Sequence, residues 1–281
     1  MASRYYDSRS GRLHYDQRGM GDPVVLLHGV HIGASHAEFA RNVGALQRQF
    51  TVYALDLLGF GDSDSPHITH SAELHQHMVR DFIHEVVGGA SHLVASGVSC
   101  GIAVRLGVYD EEVVRRMVLI CPVQKDSYRE QPGIGDRVSQ FVMGTLAAGV
   151  GLFETAASPA SLEAFLRDRY QDLRNVTADK VEHLAEEARR PGSMHPYISL
   201  VNGFFDVDTL RWLRYVRAPT QILWGAGLGE APTDRIQQPA TWSQGKRLDV
   251  VANSRHWPHD ERSAEVNQLI LDFLHSQSQG Q

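Results

Sequence analysis

The chain has 281 residues, 42% hydrophobic and 21% charged, enough for one large globular domain or a core carrying a sizeable insertion. Its formal net charge of -6, with no run of Lys or Arg, argues against a general nucleic-acid binder, because phosphate binding needs a basic face. Cys100 and Cys121 are too few for a disulfide framework, no apolar run approaches the roughly 20 residues that cross a bilayer, and the polar stretch 1–21 lacks a secretory core, so a cytoplasmic location is expected.

In chain order, Arg12–Arg18 alternates as a strand and meets the turn Gly19-Met20-Gly21-Asp22-Pro23. Val24–Leu27 is a continuous apolar run, as in a strand buried on both faces, and ends at His28-Gly29. A helix is predicted over 38–50, a strand over Thr51–Leu55, and a loop over 56–66, which is rich in Gly, Asp and Ser. Helical spacing over 72–87 stops at Gly88-Gly89. The strand His92–Ser96 runs into Gly97-Val98-Ser99-Cys100-Gly101, followed by a helix over 102–109 and a strand over 116–121 closed by Pro122.

After Pro122 only helical patterns follow, over 137–149, 161–173, 178–190 and 196–205. Strand rhythm resumes at Thr220–Trp224 and Arg247–Val251, and a helix over 264–274 closes the chain. This order predicts an α/β fold with a mostly parallel sheet, helices on both faces and right-handed crossovers. It divides into a core of residues 1–122 and 218–281 and a helical cap of residues 123–217, placed where it would cover the ligand crevice.

Gly-x-Ser-x-Gly between a strand and a helix is the pattern of a nucleophile elbow, in which a serine in a strained turn faces the start of a helix. Ser99 is therefore the expected nucleophile, flanked by Gly97 and Gly101 so that neighbouring chain does not clash. The backbone N–H groups of Cys100 and of Val30, in the loop after His28-Gly29, are the expected oxyanion donors, with His31 a loop residue close by. A base should follow the last strand, and His256 in Asn253-Ser254-Arg255-His256-Trp257-Pro258-His259 fits, with His259 the competitor. His67, His70, His75 and His77 spread over a loop and a helix start, so no metal site is expected, and no cofactor is required.

At these residues the chain resembles the α/β-hydrolase superfamily over nearly its whole length. The matching segments are Val24–Gly29, Asp56-Leu57-Leu58-Gly59-Phe60-Gly61-Asp62-Ser63-Asp64, Gly97–Gly101, Leu223-Trp224-Gly225 and His256-Trp257-Pro258-His259. The segments Gly33-Ala34-Ser35 and Asp56–Gly61 also resemble bacterial and plant relatives of pheophytinase-type hydrolases. The family's acid falls a few residues after Trp-Gly, where this chain has Leu228; Glu230 is the first candidate in its place, with Asp126 and Asp234 as the others. The serine excludes the branches that attack with an elbow aspartate, haloalkane dehalogenases and epoxide hydrolases.

The resemblance implies a serine hydrolase acting on an ester or related acyl bond of a small, apolar molecule through an acyl-enzyme. A carbon–carbon bond hydrolase would use the same residues. The departure at Leu228 leaves a third reading, a weakly active or non-catalytic small-molecule binding protein.

Overall fold

The computed structural model describes residues 3–122, 133, 139, 147–229 and 246–276. Its eight strands are β1 (Ser3–Ser8), β2 (Gly11–Arg18), β3 (Pro23–Leu27), β4 (Thr51–Leu55), β5 (Ser91–Ser96), β6 (Val114–Ile120), β7 (Thr220–Gly225) and β8 (Lys246–Val251). They form one sheet in the order β1-β2-β4-β3-β5-β6-β7-β8. Strands β3 to β8 pair in parallel, while β2 lies antiparallel to β4 and β1 antiparallel to β2. The mostly parallel α/β sheet is as the sequence predicts. Strand β1 was hidden because its residues, SRYYDS, carry no apolar alternation; it is added by pairing with β2 at the sheet edge.

The apolar runs divide by strand period into two cores. Val25, Leu27, Tyr53, Leu55, Leu93 and Ala95 face one layer, covered by helices α2 (Ala72–Phe82) and α3 (Ser99–Tyr109). Val24, Leu26, Val52, Ala54 and Val94 face the other, covered by α1 (Ala40–Leu46) and the C-terminal helix Ser263–His275. Helix α2 starts where Ser71 Oγ accepts the Leu74 N–H at 3.1 Å, continues through one wider turn to Val87, and stops at Gly88 with φ +79°. The helix expected over 38–50 is instead a tight turn, His36–Phe39, followed by α1. Asp56 causes the difference by accepting the His36 N–H at 2.6 Å, which fixes how the chain enters the helix.

Between β6 and β7 the described residues hold helices Ala147–Ala156, Pro159–Arg169, Ala178–Ala188, Met194–Val201 and Thr209–Trp212, and no strand. The helix expected over 137–149 falls largely outside the described residues. Among the described residues, no helix is long and apolar enough to cross a membrane.

Several of the fifteen histidines are structural. His75 bonds the carbonyls of Ser71 and Leu58 at 2.8 and 3.0 Å, and His14 and His36 both bond the buried Asp56 carboxylate, at 2.7 and 2.9 Å. Burial pushes His70 down to about 3, helped by His75, and His92 down to about 4, helped by Arg115. A histidine whose folded pKa lies below its unfolded value contributes stability that is complete above the unfolded value, near 6.5, and is lost as pH falls toward the folded value. Burial of His36 acts against its proton, but the Asp56 bond more than offsets this, so His36 runs the other way. With the depressed histidines in the majority, the urea midpoint is expected to be lower at about pH 5 than at about pH 7.5, and equal midpoints would contradict it.

Candidate active site

The site is built where the carboxyl ends of neighbouring strands β4, β3 and β5 meet. β5 delivers Gly97, Val98 and Ser99, and Ser99 opens α3. β3 delivers His28, Gly29 and Val30. Because β3 and β5 run side by side, Ser99 Oγ reaches the His28 carbonyl and donates to it at 2.5 Å. β4 delivers Leu57, whose N–H donates to His28 Nε2 at 3.1 Å. That bond makes Nε2 an acceptor, leaving the proton on Nδ1, which donates to the Gly29 carbonyl at 2.7 Å. Burial lowers the His28 pKa, consistent with this neutral form.

The elbow differs in detail from the sequence expectation. The positive φ, +55°, falls on Gly97 rather than on the serine, and the only non-glycine residues with positive φ among those described are Cys121 and Asn253. Gly97 is needed for its backbone, since an added Cβ would meet nothing within 4 Å. Gly101 is needed for space, since its Cβ would sit 2.8 Å from Val207 Cβ. Of the two expected oxyanion donors, Cys100 N–H donates to the Gly97 carbonyl at 3.2 Å, whereas Val30 N–H has no protein partner among the described residues. Burial pushes the Cys100 thiol well above its usual range, and Sγ donates to the Ala95 carbonyl, so this sulfur is a packing group.

His256 lies on the loop after β8, half-buried. Its N–H donates to the Arg169 carbonyl at 3.0 Å, at the end of helix Pro159–Arg169. Burial, then the positive charge of Arg169, lowers its pKa to about 4, so the ring is neutral near pH 7, the form a general base needs. No hydrogen bond joins it to Ser99 among the described residues; its Nε2 lies 4.0 Å from Asp168 Oδ2. Sequence reasoning missed Asp168. It stands at the ring nitrogen a triad would turn toward the serine, and it also pairs with Arg255 at 3.3 Å, so it is not placed as a triad acid.

Glu230, Asp126 and Asp234, the three candidates for that acid, lie outside the described residues. Leu228, at the expected position, packs against the core layer on the α1 side. Sequence reasoning also missed Glu38. It is nearly buried, accepts the Gly29 N–H at 2.8 Å, and lies 3.2 Å from His259 Nε2 and 3.5 Å from His31 Nε2. His259 is thus a buried partner of Glu38, while the His31 ring packs between Phe165 and Trp257. A cavity of about 230 Å³ opens between the loop after β3 and the inserted helices, with Val30, Phe60, Arg190, Pro196 and Tyr197 in its wall.

The alpha/beta hydrolase family model matches residues 24–269. The chain is 24% identical over 271 residues to 2-hydroxy-6-oxo-6-phenylhexa-2,4-dienoate hydrolase of Comamonas testosteroni, covering 93% of this chain and 91% of that protein. It is 28% identical over 277 residues to a 2-hydroxy-6-oxononadienedioate/2-hydroxy-6-oxononatrienedioate hydrolase of Paraburkholderia phymatum, covering 94% and 91%. Among solved structures, a serine hydrolase involved in carbazole degradation superposes with a TM-score of 0.78 at 18% identity, covering 97% of this chain and 98% of that one, a likeness of fold. A match from β3 through β8 and across both site loops means that the chain belongs to the alpha/beta hydrolase family and is a hydrolase.

Proposed function

We propose that Ser99 attacks a substrate carbonyl carbon, forming an acyl-enzyme, with His256 taking the serine proton and returning it to the leaving group. The observation that carries this reading is the placement of Ser99 at the strand-to-helix turn, against the oxyanion loop of the neighbouring strand. Val30 N–H, without a protein partner among the described residues, is the first oxyanion donor. Cys100 N–H is the second, and serves once its bond to the Gly97 carbonyl opens in the reacting complex. His256 reaches the serine by turning from Asp168. Glu230 is the proposed acid, with Asp126 and Asp234 as the other candidates. Residues 123–217 are proposed as the cap, a reading supported by the inserted helices in the cavity wall. Two buried thiols, Cys100 and Cys121, support a cytoplasmic setting.

Of the two bond classes, the names of the relatives favour a carbon–carbon bond beside a ketone, with a 2-hydroxy-6-oxo-dienoate as the first substrate to try. An ester of an apolar acid is the second, favoured by the apolar Phe60, Pro196 and Tyr197 of the cavity. A panel of both, run on the wild type and Ser99→Ala, separates them. Turnover of one class, lost by about 10³-fold or more in the variant, is expected. Full activity in Ser99→Ala would exclude the serine mechanism.

The pH dependence follows from His256. Only the neutral ring accepts a proton, so kcat/KM is expected to fall on the acid side with an inflection near 4, because burial and Arg169 hold the ring there. An inflection near the ordinary value of 6.5 would mean that another group, or a solvent-exposed ring, is the base.

A further inference from the structure

The loop that carries Val30 is fixed through two consecutive peptide planes, the first gripped on both edges and the second at its carbonyl. The first is the plane between His28 and Gly29. Its carbonyl accepts from Ser99 Oγ at 2.5 Å, and its N–H donates to Glu38 Oε2 at 2.8 Å. No cis peptide bond occurs among the described residues, and in a trans peptide the carbonyl and the N–H point opposite ways. Whatever holds the Gly29 N–H therefore aims the His28 carbonyl. The second is the plane between Gly29 and Val30. His28 Nδ1 holds its carbonyl at 2.7 Å, which turns the Val30 N–H to the far side.

Glu38 is itself flanked by two imidazoles at ion-pair distance. His259 Nε2 lies 3.2 Å from its second oxygen and His31 Nε2 lies 3.5 Å from the first. Burial is the largest influence on Glu38 and raises its pKa, but His259 and His31 beside it more than offset this, so the carboxylate is ionised well below the usual range. His259 has no exposure at all and lies three residues after His256. The carboxylate thus sits between the loop that carries the base and the loop that carries the oxyanion donor.

We propose that Glu38, paired with His259, is a positioning residue for the serine reaction: by gripping the Gly29 N–H it aims the His28 carbonyl at Ser99 and fixes the plane that presents Val30 N–H. The inference rests on the serine reading above. What matters is a hydrogen-bond acceptor at the reach of a glutamate, more than the charge.

Hydrolysis of 4-nitrophenyl acetate by the wild type, Ser99→Ala, Glu38→Ala, Glu38→Asp and Glu38→Gln tests it, with circular dichroism to confirm folding. Removing one oxyanion contact typically costs about 10² to 10³ in rate, and a comparable loss in kcat with KM within a few-fold is expected for Glu38→Ala and Glu38→Asp. Glu38→Gln keeps an acceptor at the same reach and is expected to restore kcat to within about tenfold of the wild type. A merely electrostatic or structural role gives the reverse order, with Asp retaining kcat and Gln losing it, and that order overturns the proposal, as does a flat series. If Glu38→Ala and Glu38→Asp fail to fold, Glu38→Gln alone decides, a loss beyond about 10² contradicting it. Wild-type hydrolysis that is absent, or that survives in Ser99→Ala, removes the serine reading and this inference with it; a serine-dependent wild type with a flat Glu38 series removes this inference alone.

Discussion

The peptide unit between His28 and Gly29 is the constraint on which the site depends. Three parallel strands, β4, β3 and β5, end side by side; β3 carries this unit, and its two neighbours each send one group to it or to the His28 ring. β5 sends the Ser99 hydroxyl to the His28 carbonyl, and β4 sends the Leu57 N–H to the ring. Were the strands out of register by one residue, every apolar side chain would change face and these groups would separate. The apolar runs 24–27, 51–55 and 91–96, with their two-residue period, are what hold that register. Sheet packing and site geometry are in this sense one problem.

The loop that carries His256 is held from a different quarter. Its backbone bonds the Arg169 carbonyl, and Glu261 accepts the N–H groups of Arg255, Gln171 and Asp172 at 2.8, 2.8 and 2.9 Å. Cys121 Sγ, at the end of β6, reaches the Arg255 carbonyl at 3.3 Å and receives the Gly225 N–H at 3.4 Å. The proposed base is therefore fixed jointly by the sheet and by the inserted helices. A change in the insertion reaches the imidazole through main-chain bonds, so in such an arrangement substrate shape and base position are not independent. The same burial that holds the loop strips water from His256 and keeps it neutral.

Much of this was legible in the sequence because it depends on local pattern. Continuous apolar runs ending at His28, Asp56 and Gly97 mark buried parallel strands, and glycines around Ser99 mark a tight turn into a helix. What was not legible depends on contacts across the chain. Glu38 looks like an ordinary first-turn acid of a surface helix, and only the fold brings it to Gly29 and His259, more than two hundred residues apart in sequence. Asp168 is one charge among many on an inserted helix until the His256 loop is laid against it. Strand β1 has no apolar signature and forms because β2 offers an unpaired edge. The rotation of the elbow, with positive φ on Gly97 and the Cys100 N–H turned to Gly97, belongs to the same class, since Gly-x-Ser-x-Gly specifies small neighbours but not how the turn is wound.

The central claim, that this fold makes Ser99 nucleophilic, is tested most directly by covalent capture. Intact-mass analysis after incubation with an alkyl fluorophosphonate, followed by peptide mapping, reads which side chain is attacked. A single adduct on the peptide containing Ser99, slowed in His256→Ala, is the predicted result. An unmodified protein, or an adduct at another residue, would contradict it.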